Sequence, residues 1–167
     1  MMLRKEGFMK RIFVLLIALM LFATSALAEP WRVFDNAGLF SVEDAKTIEQ
    51  AIADFQRTTN TDFAVLTFEG FFGNNISGKI AELFYEFNNF GFGHTASGIV
   101  YFFHLYDGML YANFGLKGET NAIIDDEKHH SIAVSCRQFV TEGNYTSAVL
   151  HLIDSAKEEV VAYKKGR

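Results

Sequence analysis

Gly98-Ile-Val-Tyr-Phe-Phe-His-Leu-Tyr106 contains an unbroken apolar run from Ile99 to Phe103. A strand with one wet face alternates apolar and polar side chains, whereas a strand covered on both faces does not need to. The stretch therefore predicts a central strand, with protein above and below it. Asp107-Gly108 follows as a favoured hairpin turn, and Met109 to Phe114 is the return strand. Gly115-Leu-Lys-Gly118 reads as loop. Upstream, Asp62-Phe-Ala-Val-Leu-Thr-Phe68 is a second strand, followed by a glycine-rich loop from Glu69 to Asn75. A helix opening at Ser77 then buries Ile80, Leu83, Phe84 and Phe87. A helix between two strands implies a parallel pair joined by a right-handed crossover.

Outward from this centre the signals are local. Ser41-x-x-Asp44 has the form of a capping box, and Ala45, Ile48, Ile52 and Phe55 make an apolar stripe behind it. Thr58-Thr59-Asn60 ends that helix. Asp126 to Thr141 reads as a third helix. Asn144 to Lys165 reads as a last one, with Tyr145, Val149, Leu152, Ile153, Ala156 and Val160 inward. A short strand at Arg32 to Phe34 adds an edge. The order predicts an α/β fold, a three-layer α/β/α sandwich with a small mixed sheet of about four strands flanked by helices on both faces.

The amino end has a different character. Arg4, Lys5, Lys10 and Arg11 precede an apolar run from Ile12 to Ala23, and Ala26-Leu27-Ala28 supplies a small-residue cleavage site. Residues 1–28 thus read as a secretory signal peptide, and residues 29–167 as one domain. Losing the leader's four basic residues and single Glu takes the net charge from −5 to −8. An acidic chain of this kind excludes nucleic acid as its main partner and is compatible with a cation. Cys136 is the only cysteine, so no intramolecular disulfide forms. No transmembrane anchor is expected once the leader is removed.

Val33-Phe-Asp-Asn-Ala-Gly-Leu-Phe-Ser41 opens the domain with more polar chemistry than a helix cap needs. Asp35 and Asn36 carry two readings. One is an Asx-turn that orders the entry to the helix. The other is an oxygen-ligand site for calcium, which takes six to eight oxygens. If the first strand is parallel to the next, Asp35, Asn36, Glu69 and Asp107 share the carboxyl edge of the sheet, where open α/β sheets bind ligands.

Other polar groups have structural readings. Asp125-Asp126-Glu127 suits a helix start. His94, His104, His129, His130 and His151 form no zinc motif, and Cys136 shares a helical face with Ile132, Phe139 and Val140 as a packed thiol. There is no Gly-x-Ser-x-Gly elbow. Among the eighteen Phe residues, Phe71, Phe72 and Phe92 lie in glycine-flanked loops and have two readings: candidate contacts for a partner if exposed, or loops folded over the end of the core.

Taken together, Val33 to Ser41, Asp62 to Thr67, Ile80-Ala-Glu-Leu-Phe84, Phe90-Gly-Phe-Gly93, Gly98 to Phe102 and Tyr111-Ala-Asn-Phe-Gly-Leu-Lys-Gly118 resemble the TPM domain of bacterial secreted and thylakoid-lumen proteins. The resemblance covers essentially all of residues 29–167. It implies an α/β/α sandwich, an extracytoplasmic location (periplasmic or secreted), and either acid phosphatase activity, calcium binding or an accessory role at membrane complexes. Ala96-Ser97 replaces the polar pair the family usually carries there, which removes a plausible metal or substrate ligand. The expected function is a non-catalytic envelope module that binds an envelope or membrane-associated protein, with calcium as candidate ion and no organic cofactor. The alternative is a metal-dependent acid phosphatase. For phosphate, only Arg32, Lys79 and Lys117 lie near the candidate loops.

Overall fold

A computed structural model describes residues 32–69, 97–106 and 109–167, with backbone alone for 104–106 and 109–113. The leader, the helix expected from Ser77, Asp107, Phe71, Phe72 and Phe92 lie outside the described residues. Four strands form one sheet in the order β1 (Val33–Asp35), β2 (Asp62–Glu69), β3 (Gly98–Tyr106), β4 (Met109–Lys117). β1 runs parallel to β2 with Asp35 opposite Thr67. β2 runs parallel to β3 from Asp62 opposite Gly98 to Glu69 opposite Leu105. β3 and β4 are antiparallel, from Gly98 opposite Lys117 to Tyr106 opposite Met109. The parallel pairing and mixed sheet are those the sequence implies.

α1 (Val42–Thr59) starts on the expected capping box: the Ser41 hydroxyl accepts from the Asp44 amide at 3.1 Å, and the Asp44 carboxylate accepts from the Ser41 amide at 3.1 Å. The Ser41 hydroxyl also donates to the Asp44 carboxylate at 2.5 Å, and this bond, together with that from the Ser41 amide, holds the half-buried Asp44 carboxyl below its usual range. Asn60 ends the helix in the left-handed conformation, at φ 50°. Ile48, Ile52 and Phe55 face the sheet and are fully buried. They pack in one cluster with Val33, Phe63, Val65, Ile99, Tyr101 and Phe103 and with the inner face of α5 (Tyr145–Lys165), where Val149, Leu152, Ile153, Ala156 and Val160 are buried. Phe63 stands edge-on to Phe55 at 5.1 Å and is stacked with Tyr101 at 5.6 Å. The intervening residues Ala64, Val100 and Phe102 point to the opposite face and are equally inaccessible, with Phe34, Leu66 and Phe68 around them. Both faces of the central strands are therefore core, as the unbroken apolar run requires.

Three elements differ from expectation. β4 continues through Gly115 and Leu116 to Lys117, because Leu116 pairs opposite Ile99 and packs on the core. A four-residue helix, α2 (Thr120–Ile123), follows where the sequence reading assigns no element. The Thr120 side chain is buried, accepts from the Lys117 amide at 3.1 Å, and lies 3.0 Å from the Gly98 carbonyl. It thereby fastens the end of β4 to the start of β3. Finally, the helix expected over 126–141 is two, α3 (Asp126–Ser135) and α4 (Arg137–Thr141). The Ser135 hydroxyl (2.7 Å) and the Cys136 thiol (3.2 Å) both turn back onto the Ile132 carbonyl. Such side-chain bonds compete with the helical ladder at that point. Among the described residues no helix is long and apolar enough to cross a membrane.

Candidate functional site

The carboxyl edge of β1 and β2 is organised around one carboxylate. Asp35, the last residue of β1, accepts the Leu39 amide on Oδ1 at 3.0 Å and the Phe40 amide on Oδ2 at 2.9 Å. The Thr67 hydroxyl donates to the same Oδ1. That hydroxyl, fully buried in β2, in turn accepts the Ala37 amide at 3.1 Å, while the Thr67 carbonyl accepts the Asn36 amide at 3.1 Å. Gly38 completes the turn at φ 65°, a conformation that costs glycine little. The loop between β1 and α1 is thus wound around Asp35 and pinned to Thr67. This is the turn-forming role, and it uses both carboxylate oxygens.

Asn36 and Glu69 are exposed. Glu69 lies two residues beyond Thr67 on β2, so it projects from the same face at the same edge, roughly 7 Å along the strand. β3 reaches this edge at Tyr106; Asp107 itself is outside the described residues. Topology therefore brings Asp35, Asn36 and Glu69 to one edge. Among the described residues, no three His, Cys, Asp or Glu side chains cluster as a metal ion requires. Asp35 Oδ1 already takes two donors, which leaves Oδ2 as the oxygen with capacity to spare.

The other candidate groups lie elsewhere. Ser97 precedes β3 and so stands at the amino edge of the sheet, where Asp62 pairs with Gly98. From Asp62 to Thr67 is about 17 Å of strand, so Ser97 lies far from a site at Asp35. Ser97 is buried, and its hydroxyl accepts the Glu119 amide at 3.1 Å. Of the cations considered for phosphate, Arg32 reaches back to Asp62 at 3.4 Å and to Gln56, which also donates to Asp62 at 2.6 Å. Lys117 ends β4 opposite Gly98, again at the amino edge. Asp125 caps α3 by accepting the Lys128 amide at 2.9 Å.

Cys136 is 3 % exposed, and burial pushes its thiol up to about 11, so it stays protonated and inert at neutral pH. His151 Nε2 lies 2.8 Å from the Ser135 hydroxyl, a contact between helices that spacing could not reveal. Two structural residues had no sequence signal of their own. Thr67 was one polar residue in an apolar strand. Glu49, on α1, accepts the backbone amides of both Arg32 (2.6 Å) and Val33 (2.7 Å) through one oxygen.

Three solved structures share the architecture. The N-terminal domain of a P. gingivalis protein superposes with TM-score 0.65 at 17% identity, over 83% of this chain and 88% of that one. The BA42 protein of the psychrophile Bizionia argentinensis gives 0.59 at 15% identity, over 74% and 83%. The N-terminal domain of Corynebacterium glutamicum cg2496 gives 0.52 at 18% identity, over 78% and 83%. At these identities the likeness is one of fold. No curated protein matches by sequence. The family model described as TPM domain matches residues 33–159, from the first strand to the last helix, and the chain belongs to the TPM domain family.

Proposed function

We propose that this TPM domain is exported and works at the cell envelope as a non-catalytic accessory module that binds a partner protein, with calcium as an ion that orders the loops at the carboxyl edge of the sheet. The observation that carries the non-catalytic reading is the use made of Asp35. Its carboxylate serves as an internal fastener, taking two backbone amides and a buried hydroxyl. A carboxylate spent on holding its own loop is poorly placed to act as nucleophile or base. Arg32, bound to Asp62 at the far edge, is likewise engaged in the fold.

Calcium fits this edge only in part. Asp35 Oδ2, the Asn36 amide and the Glu69 carboxylate supply fewer than the six to eight oxygens the ion takes, so water and Asp107 would complete the shell. Candidate partner contacts remain Phe71, Phe72 and Phe92. The competing reading, a metal-dependent acid phosphatase, follows from the family alone and from the name its model carries.

One preparation tests these readings. Protein isolated from the expressing cell's envelope is expected to begin at Glu29; a chain retaining residues 1–28 argues against export. Calcium titration followed by amide NMR is expected to shift Asn36 and Glu69 selectively. An unchanged spectrum at millimolar calcium removes the ion and leaves partner binding. Hydrolysis of p-nitrophenyl phosphate that survives repurification and vanishes in Asp35→Asn, with the fold intact, would overturn the non-catalytic reading.

A further inference from the structure

α3 sits on the sheet by unusual means. Of its ten residues only Ile132 is buried. A Lys128–Glu159 ion pair (2.7 Å) and a Ser135–His151 contact (2.8 Å) tie it to α5. Its hold on the sheet comes from His129, whose ring lies 3.5 Å from that of Phe114 on β4 and 6.3 Å from Tyr101 on β3, roughly parallel to the latter. His129 Nε2 and the Tyr101 hydroxyl are both shut away from solvent without a hydrogen-bond partner. Buried polar atoms are nearly always bonded, so two orphans at one contact mark a place where the packed state is costly. The helix is also bounded as a separate segment at both ends. It starts after the bend at Ile124-Asp125 and ends at the break around Cys136.

We propose that α3 is an acid-released cover over the aromatic floor formed by Tyr101 and Phe114, with His129 as its latch. Neutral imidazole tolerates the buried contact, whereas imidazolium carries a charge and two N–H donors that need water. From β3 the ionisable neighbour is Tyr101, which burial keeps protonated. From β4 the described neighbour is Phe114, which bears no charge. From α5, Glu159 is committed to Lys128 at 2.7 Å and His151 to Ser135. On α3 itself, Asp126 favours the charged ring and His130 opposes it, and burial outweighs both, taking His129 down to about 4. Cys136, beyond Tyr101, stays neutral.

The sign follows from linkage. The unfolded or released helix binds a proton near 6.5 and the docked helix only near 4, so docking is strongest above pH 6.5 and weakens as pH falls toward 4. Release exposes Tyr101 and Phe114 while β2 and β3 stay paired.

NMR of the whole chain between pH 7 and pH 4 tests this. The amides of Asp126–Ser135 are expected to shift together and lose exchange protection while those of Asp62–Glu69 hold. In His129→Phe, which keeps an aromatic ring at the contact, α3 is expected to stay docked at pH 4. Loss of helix and sheet signals in one step overturns the proposal, as does an unchanged pH response in His129→Phe. Should that variant not fold, the wild-type imidazole Cε1–H titration decides: a midpoint well below 6 supports the latch, and one at or above 6 overturns it.

Discussion

Thr67 is the residue on which the carboxyl-edge loop depends most. Its single hydroxyl donates to Asp35 and accepts from Ala37, and its carbonyl holds Asn36. Thr67→Val keeps the shape and removes the hydroxyl. It leaves a carboxylate oxygen with one donor fewer and a part-buried amide unpaired, a loss of about 2 kcal/mol. Urea unfolding is expected to show that loss, with faster amide exchange over residues 36–40, while Thr67→Ser stays near wild type. If Thr67→Val unfolds at the wild-type midpoint, Asp35 and not Thr67 holds the loop. Asp35 was legible from sequence as a turn-former because the Asx-turn is local chemistry. Thr67 was not, since its partner is fixed by the parallel register of β1 on β2. For the same reason Ser97 could not be assigned to the opposite edge from its position in the chain.

At the scale of elements, legibility follows the range of the forces involved. α1 and α5 were readable to within a residue, because caps at Ser41 and Asn144 and stripes at helical spacing lie within each segment. β2 and β3 were equally plain from their apolar runs. The extension of β4 to Lys117 was hidden behind glycines that look like loop, and only the partner Ile99 opposite Leu116 shows why a strand persists. α2 depends on Thr120 reaching Gly98, a contact across 22 positions. The division at Cys136 arises where two side chains compete for the Ile132 carbonyl, which periodicity does not register. Helices α1 and α5 are also tied end to side: Lys157 meets Asp54, whose carboxyl it holds below the usual range, and Lys164 donates to the Thr59 carbonyl at 2.5 Å.

At the scale of the whole molecule, the sheet has no wet side along its centre. Phe63 belongs to the face under α1 and α5, and Phe102 to the other. Truncation to alanine at either site is expected to cost about 3–5 kcal/mol, a large share of a small domain's stability. Chemical denaturation of Phe63→Ala and Phe102→Ala compares them directly. A cost below about 1.5 kcal/mol for Phe102→Ala alone would mean the second face collapses around the void, and that it is not core in the same sense.

The pairing of β2 with β3 has a consequence in time. β2 ends at Glu69, and the strand beside it begins only at Gly98, whereas β3 and β4 are neighbours in the chain, with Tyr106 opposite Met109. Contacts between distant segments form late because the intervening chain must be gathered first. The hairpin of β3 and β4 is therefore expected to form early in refolding and to act as the template on which β2, then the three-residue β1, are laid. Pulse-labelled exchange that protects residues 62–69 before 98–103 would reverse that order. On a ribosome, which delivers the amino end first, β2 leaves the tunnel before its template has been made, and its Phe63-Ala-Val65 run must wait uncovered for the second half of the chain.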